Sequence, residues 1–210
     1  MSRRPVSIHP LTPDRWDDFT RLFGARGACG GCWCMHWRLS RAAYERGKGA
    51  RNRAAMRQLV ISGPPPGVLA YLGEEPVGWC AVAPRETYVR LERARALRRI
   101  DTAPVWSIVC LFVAARCRRQ GISVALIEGA ARFAAVQGAT LVEGYPVDAA
   151  GRELPAVFAW TGTAAAFRAA GFVEAVRGSP ARPIMRRHFA RGVRTGRERT
   201  GRGANRSRRS

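Results

Sequence analysis

The 210-residue chain predicts a single domain of mixed α/β (α+β) class. Strands and helices are interspersed along it, and a strand–loop–helix unit sits at the centre, near residues 105–137. A hydrophobic content of 47% supplies one real core but would be cramped for two.

Taken in order, Val6 to Ile8 predicts a short strand. Thr12-Pro13-Asp14 reads as a helix start, with Thr12 as N-cap and Pro13 in the first helical position. Trp16, Phe19, Leu22 and Phe23 recur at helical spacing, so one face of that helix should be buried. A dense segment from Cys29 to Trp37 follows, then a basic helical pattern from Ser40 to Ile61, ended by Gly63-Pro64-Pro65-Pro66-Gly67. Val68–Leu72 and Val77–Val82 flank Gly73-Glu74-Glu75-Pro76 and predict an antiparallel hairpin. Arg85 to Arg99 reads as a charged connection, and Val105 to Val113 as a long strand. Gly121 to Gln137 has the broadest apolar helical face in the chain, with Gly138 as its C-terminal stop. Leu141–Tyr145 predicts a strand and Thr161–Ala170 an alanine-rich helix ended by Gly171. Phe172–Val176 and Ile184–His188 predict two last strands, with the turn at Gly178-Ser179-Pro180.

These elements place the domain at residues 1–189. Residues 190–210 form a basic tail, expected to be disordered because it is arginine-rich and poor in apolar residues. The net charge is +21, and Lys48 is the only lysine among 36 basic residues. Such a balance favours polyanions, so nucleic-acid association is a function class in its own right, and polyanion binding through the tail is compatible with other activities. No apolar run approaches the roughly 18–20 residues of a membrane span, and the start has no secretory pattern. The expectation is a cytoplasmic protein without membrane association. Three of the six cysteines crowd into residues 29–34, which suits a reducing compartment better than a disulfide framework.

The chemistry concentrates in Leu111-Phe112-Val113-Ala114-Ala115-Arg116-Cys117-Arg118-Arg119-Gln120-Gly121-Ile122-Ser123. A strand runs through a basic loop straight into a helix. First-turn amides lack internal partners and the helix dipole adds partial positive charge, so such a turn suits a phosphate. Gly121 lets the backbone approach a ligand closely. Neither a Walker A loop nor a dinucleotide fingerprint is present. By composition alone, a plain structural turn fits the segment as well as a phosphate site does.

The segment resembles the pyrophosphate-binding motif of the GNAT N-acetyltransferases, Arg/Gln-x-x-Gly-x-Gly/Ala. Arg118 takes its first position, Gly121 the middle one, and Ser123 the last, where serine is a small departure. The hairpin at 68–82, the strand at 141–145 and the Ala166–Phe172 end fall in the order of that fold, so the resemblance covers about residues 5–188. It implies a mixed, mostly antiparallel central sheet flanked by helices. It further implies an acyl-CoA-dependent N-acyltransferase that uses acetyl-CoA as co-substrate and a primary amine as acceptor. The diphosphate would rest on Arg118, Arg119, Gln120, Gly121, Ile122 and Ser123, and the pantetheine arm beside Leu111, Phe112 and Val113. A homodimer through the last strands is compatible with the fold.

In this family a tyrosine in the helix before the final Gly-Phe often protonates the leaving thiolate. Phe167 stands there and has no proton to give. A CoA-binding sensor without turnover is therefore an alternative. Glu143 and Tyr145 are the candidate catalytic replacements, two apart on one strand face; the alternative is that Glu143 pairs with an arginine and Tyr145 packs. Asp101 and Asp148 are lesser candidates.

Cys29, Cys32, Cys34 and His36 offer soft ligands, but a second separated pair is missing, so no metal is expected. Packing beside a substrate groove and a redox or thiol-transfer role are the other readings. Trp79, Trp106 and Trp160 fit either an acceptor pocket or the core. The identity of the acceptor is not readable from the sequence.

Overall fold

The computed structural model describes residues 5–149 and 159–190. Its centre is a seven-stranded sheet: β1 (Val6–Pro10), β2 (Gly67–Leu72), β3 (Glu75–Pro84), β4 (Trp106–Val113), β5 (Leu141–Gly144), β6 (Val173–Ser179) and β7 (Arg182–His188). The spatial order is β1-β2-β3-β4-β5-β7-β6. Every neighbouring pair is antiparallel except β4–β5. That parallel pair needs a crossover, supplied by α5 (Ile122–Val136). The mixed, mostly antiparallel sheet flanked by helices is the architecture that the sequence resemblance implies.

Helices cover both faces. On one, α5 buries Ile122, Leu126, Ile127, Ala130, Ala131 and Ala134 against Val68, Val77, Val82 and Ile108 of the sheet. The short α6 (Ala164–Ala169) adds Phe167 to this layer, and Thr163 caps it by accepting from the Ala166 amide. On the other face, α1 (Trp16–Phe23) presents Phe19 and Phe23 to Trp79, with ring centroids 5.0 and 6.3 Å away. The same layer holds α2 (Arg41–Gly47), α3 (Ala50–Ser62) and the short α4 (Val89–Glu92).

Several boundaries differ from the sequence reading. The basic helix expected from Ser40 to Ile61 is two helices, because Gly49 at φ +85° interrupts it and starts α3. Thr12 precedes a 3-10 turn (Pro13–Arg15), and its hydroxyl accepts from Arg15 Nη1 at 2.9 Å instead of capping an amide. The final turn falls at Pro180–Ala181, later than Gly178-Ser179-Pro180, because β6 runs on to Ser179. The tail beyond Ala190 lies outside the described residues. Among the described residues, no helix is long and apolar enough to cross a membrane.

Candidate functional site

The parallel strands β4 and β5 pair only at Trp106–Val142, Ser107–Glu143 and Ile108–Gly144. Beyond these residues they part. On its other side, β4 continues pairing with β3, and the register skips one residue: Ala81 faces Cys110 while Val82 faces Ile108. Val109 is the extra residue of a β-bulge, and a bulge bends and twists the strand that carries it. From Val109 to Val113 the edge of β4 that faced β5 has no strand partner among the described residues, and this unpaired edge between the diverging strands is the gap.

The basic turn stands at the open end of the gap. A 3-10 turn (Ala115–Cys117) leads from β4 to Arg118, and Gly121 is the N-cap of the 15-residue α5 at φ +81°, ψ 0°. This left-handed conformation is easy for glycine and strained for other residues. Arg119 shares it at φ +60°, an uncommon position for a non-glycine residue. Gly121, as N-cap, has no side chain to cap the first turn of α5, and the amides that follow it have the geometry suited to an anion. Arg118 folds back and donates from Nε to the Val113 carbonyl at 3.3 Å, holding the loop to the end of β4. Gln120 Nε2 donates to the Arg116 carbonyl at 3.1 Å.

Of the residues expected beside a pantetheine arm, Leu111 turns its side chain into the core under α5. Its amide donates to the Trp160 carbonyl at 2.7 Å, so the segment around Trp160 already occupies part of the gap. Phe112 and Val113 are half-buried at the gap's edge. Phe167 is fully buried, edge-on to Phe172 with centroids 5.0 Å apart. Its ring lies so close over Gly144 that a Cβ there would overlap it.

Glu143 and Tyr145 do share a face, and both are buried. The Tyr145 hydroxyl donates to Glu143 Oε2 at 2.7 Å, accepts from Arg85 Nη1 at 2.7 Å, and lies 2.8 Å from Ser107 Oγ. Glu143 also meets Arg85 Nη1 at 3.3 Å and Arg186 at 2.7 Å. Arg85 continues to Glu92 at 2.6 Å, and Arg186 to Asp101 at 2.5 Å. Burial, then the Glu143 charge, push the Tyr145 phenol well above the usual tyrosine range. Tyr145 therefore stays protonated and keeps its hydrogen bond. Asp148 lies elsewhere, paired with Arg177 at 2.8 Å.

A second group gathers over the bulge. Trp37 Nε1 donates to the Val109 carbonyl at 3.0 Å. The Trp37 ring stacks on Trp160, with centroids 5.7 Å apart, and His36 stands edge-on to Trp37, Trp160 and Tyr44 at 4.8–5.2 Å. Arg90 Nη1 contacts His36 Nδ1 at 3.2 Å. A guanidinium only donates, so Nδ1 accepts and the ring proton sits on Nε2. Burial first, and Arg90 second, push the His36 pKa down to about 4, so the ring is neutral at pH 7. Of the other tryptophans, Trp79 is wholly core and Trp106 packs edge-on to Phe133.

A model of the acetyltransferase (GNAT) family matches residues 33–150, more than half of the chain. The chain belongs to the GNAT acetyltransferase family. A GNAT-family acetyltransferase from Streptococcus agalactiae shares the fold, with a TM-score of 0.52 at 11% identity over 91% of this chain and 99% of that one. An acetyltransferase from Thermus thermophilus aligns with a TM-score of 0.48 at 18% identity, covering 90% of this chain and 100% of that one. Arabidopsis thaliana NAA60 in complex with acetyl-CoA aligns with a TM-score of 0.45 at 13% identity, covering 88% and 100%. No curated protein matches the chain.

Within this GNAT domain, sequence reasoning missed Arg85, Arg186 and Ser107, the partners of Glu143 and Tyr145. It also missed the grouping of His36, Trp37 and Tyr44 with Trp160. A period-two count marks Ser107 and Val109 as neighbours on one face of β4, but nothing local singles out Arg85 among so many arginines.

Proposed function

We propose that this GNAT protein transfers an acetyl group from acetyl-CoA to a primary amine. The observation that carries this reading is the uncapped start of α5 at Gly121, set at the open end of the gap between β4 and β5. The residues there fit the co-substrate. The turn from Arg118 to Ser123 offers amides and guanidinium charge to a diphosphate, and Phe112 and Val113 offer the edge of β4 to the arm. When bound, acetyl-CoA supplies an activated thioester.

The rest falls to the chain's own groups. The cluster of His36, Trp37 and Trp160 lies over the bulge, where an acceptor would approach the thioester. His36 presents Nε2–H as a hydrogen-bond donor there, and water takes the proton that an attacking amine must lose. Glu143 and Tyr145 serve as a buried brace that fixes β5 against β4 and the Arg85 turn, and they touch the chemistry only through that geometry. A second reading is favoured by Phe167: without the usual proton donor, the protein binds coenzyme A and does not turn over.

Chromatographic measurement of coenzyme A release from acetyl-CoA, across a panel of primary amines, tests the proposal. Amine-dependent release with a matching acetylated product supports transfer. Binding without amine-dependent release supports the sensor reading. Absence of both removes the proposal.

A further inference from the structure

Three thiols converge on the acceptor side of the sheet. Cys34 Sγ lies 3.2 Å from Cys110 Sγ, which sits on β4 beside the Val109 bulge, 76 residues away in sequence. Trp79 Nε1 donates to Cys34 Sγ at 2.7 Å from beneath. Cys32, two residues from Cys34 in sequence, is half-exposed, and its Sγ–H donates to the Gly27 carbonyl at 3.5 Å. The backbone is strained to bring them together. Trp33 and Cys34 both hold positive φ, +42° and +55°, a left-handed conformation that strains an L-residue. Among the described residues, no group of three His, Cys, Asp or Glu side chains is arranged to hold a metal ion. The division of labour among the sulfurs is that of a redox pair with an entry point. The hydrogen bond from Cys34, opposed by burial, holds the Cys32 thiol down at about 6, so it is largely thiolate at pH 7. Burial raises the Cys34 thiol well above its ordinary value.

We propose that Cys32, Cys34 and Cys110 form a peroxide-reactive site in which a small hydroperoxide is reduced at Cys32 and the oxidation ends as a Cys34–Cys110 disulfide. The Cys32 thiolate attacks the hydroperoxide, the O–O bond breaks, and uptake of one proton leaves Cys32 as a sulfenic acid and the peroxide as an alcohol or water. Cys34 sulfur then attacks the sulfenic sulfur, forming Cys32–Cys34 and releasing water. Cys110 attacks Cys34 sulfur, the Cys32–Cys34 bond breaks, and the Cys110 proton passes to the departing Cys32. The sum is two thiols and one hydroperoxide giving one disulfide, one alcohol and one water. Two equivalents of a small thiol reduce the disulfide, restore Cys34 and Cys110 as thiols and leave as their own disulfide. The product fastens the segment carrying His36 and Trp37 to the bulge by a covalent bond, where Trp37 already holds the Val109 carbonyl.

The test uses the full chain, reduced, desalted and treated with stoichiometric hydrogen peroxide at pH 7. Intact mass should fall by about 2 Da, and non-reducing digestion should give the Cys34–Cys110 linked peptide. Cys32→Ser should slow the bridge at least about ten-fold. Cys110→Ser should leave Cys32 as a sulfenic acid trapped by dimedone, or as the Cys32–Cys34 disulfide. Early dimedone labelling of the wild type needs no variant: Cys32 should label ahead of the more exposed Cys29. Labelling of Cys29 first, a disulfide between other cysteines, or bridging at the wild-type rate in a folded Cys32→Ser protein overturns the proposal.

Discussion

Replacing Glu143 with alanine removes the carboxylate that Arg85 and Arg186 share. Arg85 and Glu143 side chains are only 1% and 2% exposed, so water cannot take over. The two guanidiniums then repel each other across a buried space, and the Tyr145 hydroxyl loses its acceptor. Breaking a buried pair by removing one partner costs about 3–5 kcal/mol. For a domain of this size each kcal/mol lowers Tm by roughly 2–4 °C, so Glu143→Ala should unfold about 6–20 °C below wild type. Asp101→Asn is the matched control. Asp101 also binds Arg186, but it is 44% exposed, and water screens and can replace such a pair. Thermal unfolding followed by far-ultraviolet circular dichroism reads both. Equal shifts for the two variants, or a fall under about 2 °C for Glu143→Ala, would refute the brace.

The remaining predictions follow the same geometry. Gly144→Ala pushes a methyl into the Phe167 ring and should cost about 1–3 kcal/mol by overpacking. Most of that penalty should disappear when Phe167→Ala is added, as a double-mutant cycle in denaturant reads directly. His36 has a folded-state pKa near 4, below the ordinary 6.5. Its unfolded form therefore binds more protons between those values, and its contribution to stability is full above about 6.5 and lost as pH falls toward 4. Melting curves from pH 4 to 7 should flatten in His36→Gln relative to wild type. Tyr145→Phe keeps the ring and drops the hydroxyl shared by Glu143, Arg85 and Ser107. It should lower Tm by several degrees, since a lost hydrogen bond to a charged group costs about 1.5–3 kcal/mol.

The β2–β3 hairpin was legible because two apolar runs flank a Gly-Glu turn. The α5 unit was legible because a basic loop ends on glycine just before a broad apolar helical face. The bulge at Val109 was not: one extra residue in a continuous apolar strand changes no composition or period over so short a run. The end of β4–β5 pairing at Ile108, next to that bulge, was hidden for the same reason, even though the basic turn that follows Val113 was visible. Glu143 and Tyr145 could be paired by period-two spacing, but their arginine partners arrive from 58 and 43 residues away in sequence, beyond any local signal. Likewise, Cys32 and Cys34 stood out by spacing, whereas Cys110 joins them only through tertiary packing.

The central claim is that the turn at Arg118–Ser123 holds the diphosphate of an acyl-coenzyme A. Calorimetric titration of acetyl-CoA into wild type and into an Arg118→Ala/Gly121→Glu double variant tests it most directly. The account predicts saturable one-to-one binding by wild type and its loss in the variant, with the variant's far-ultraviolet circular dichroism still that of the folded domain. Equal binding by both proteins, or no binding by wild type at millimolar ligand, would contradict it.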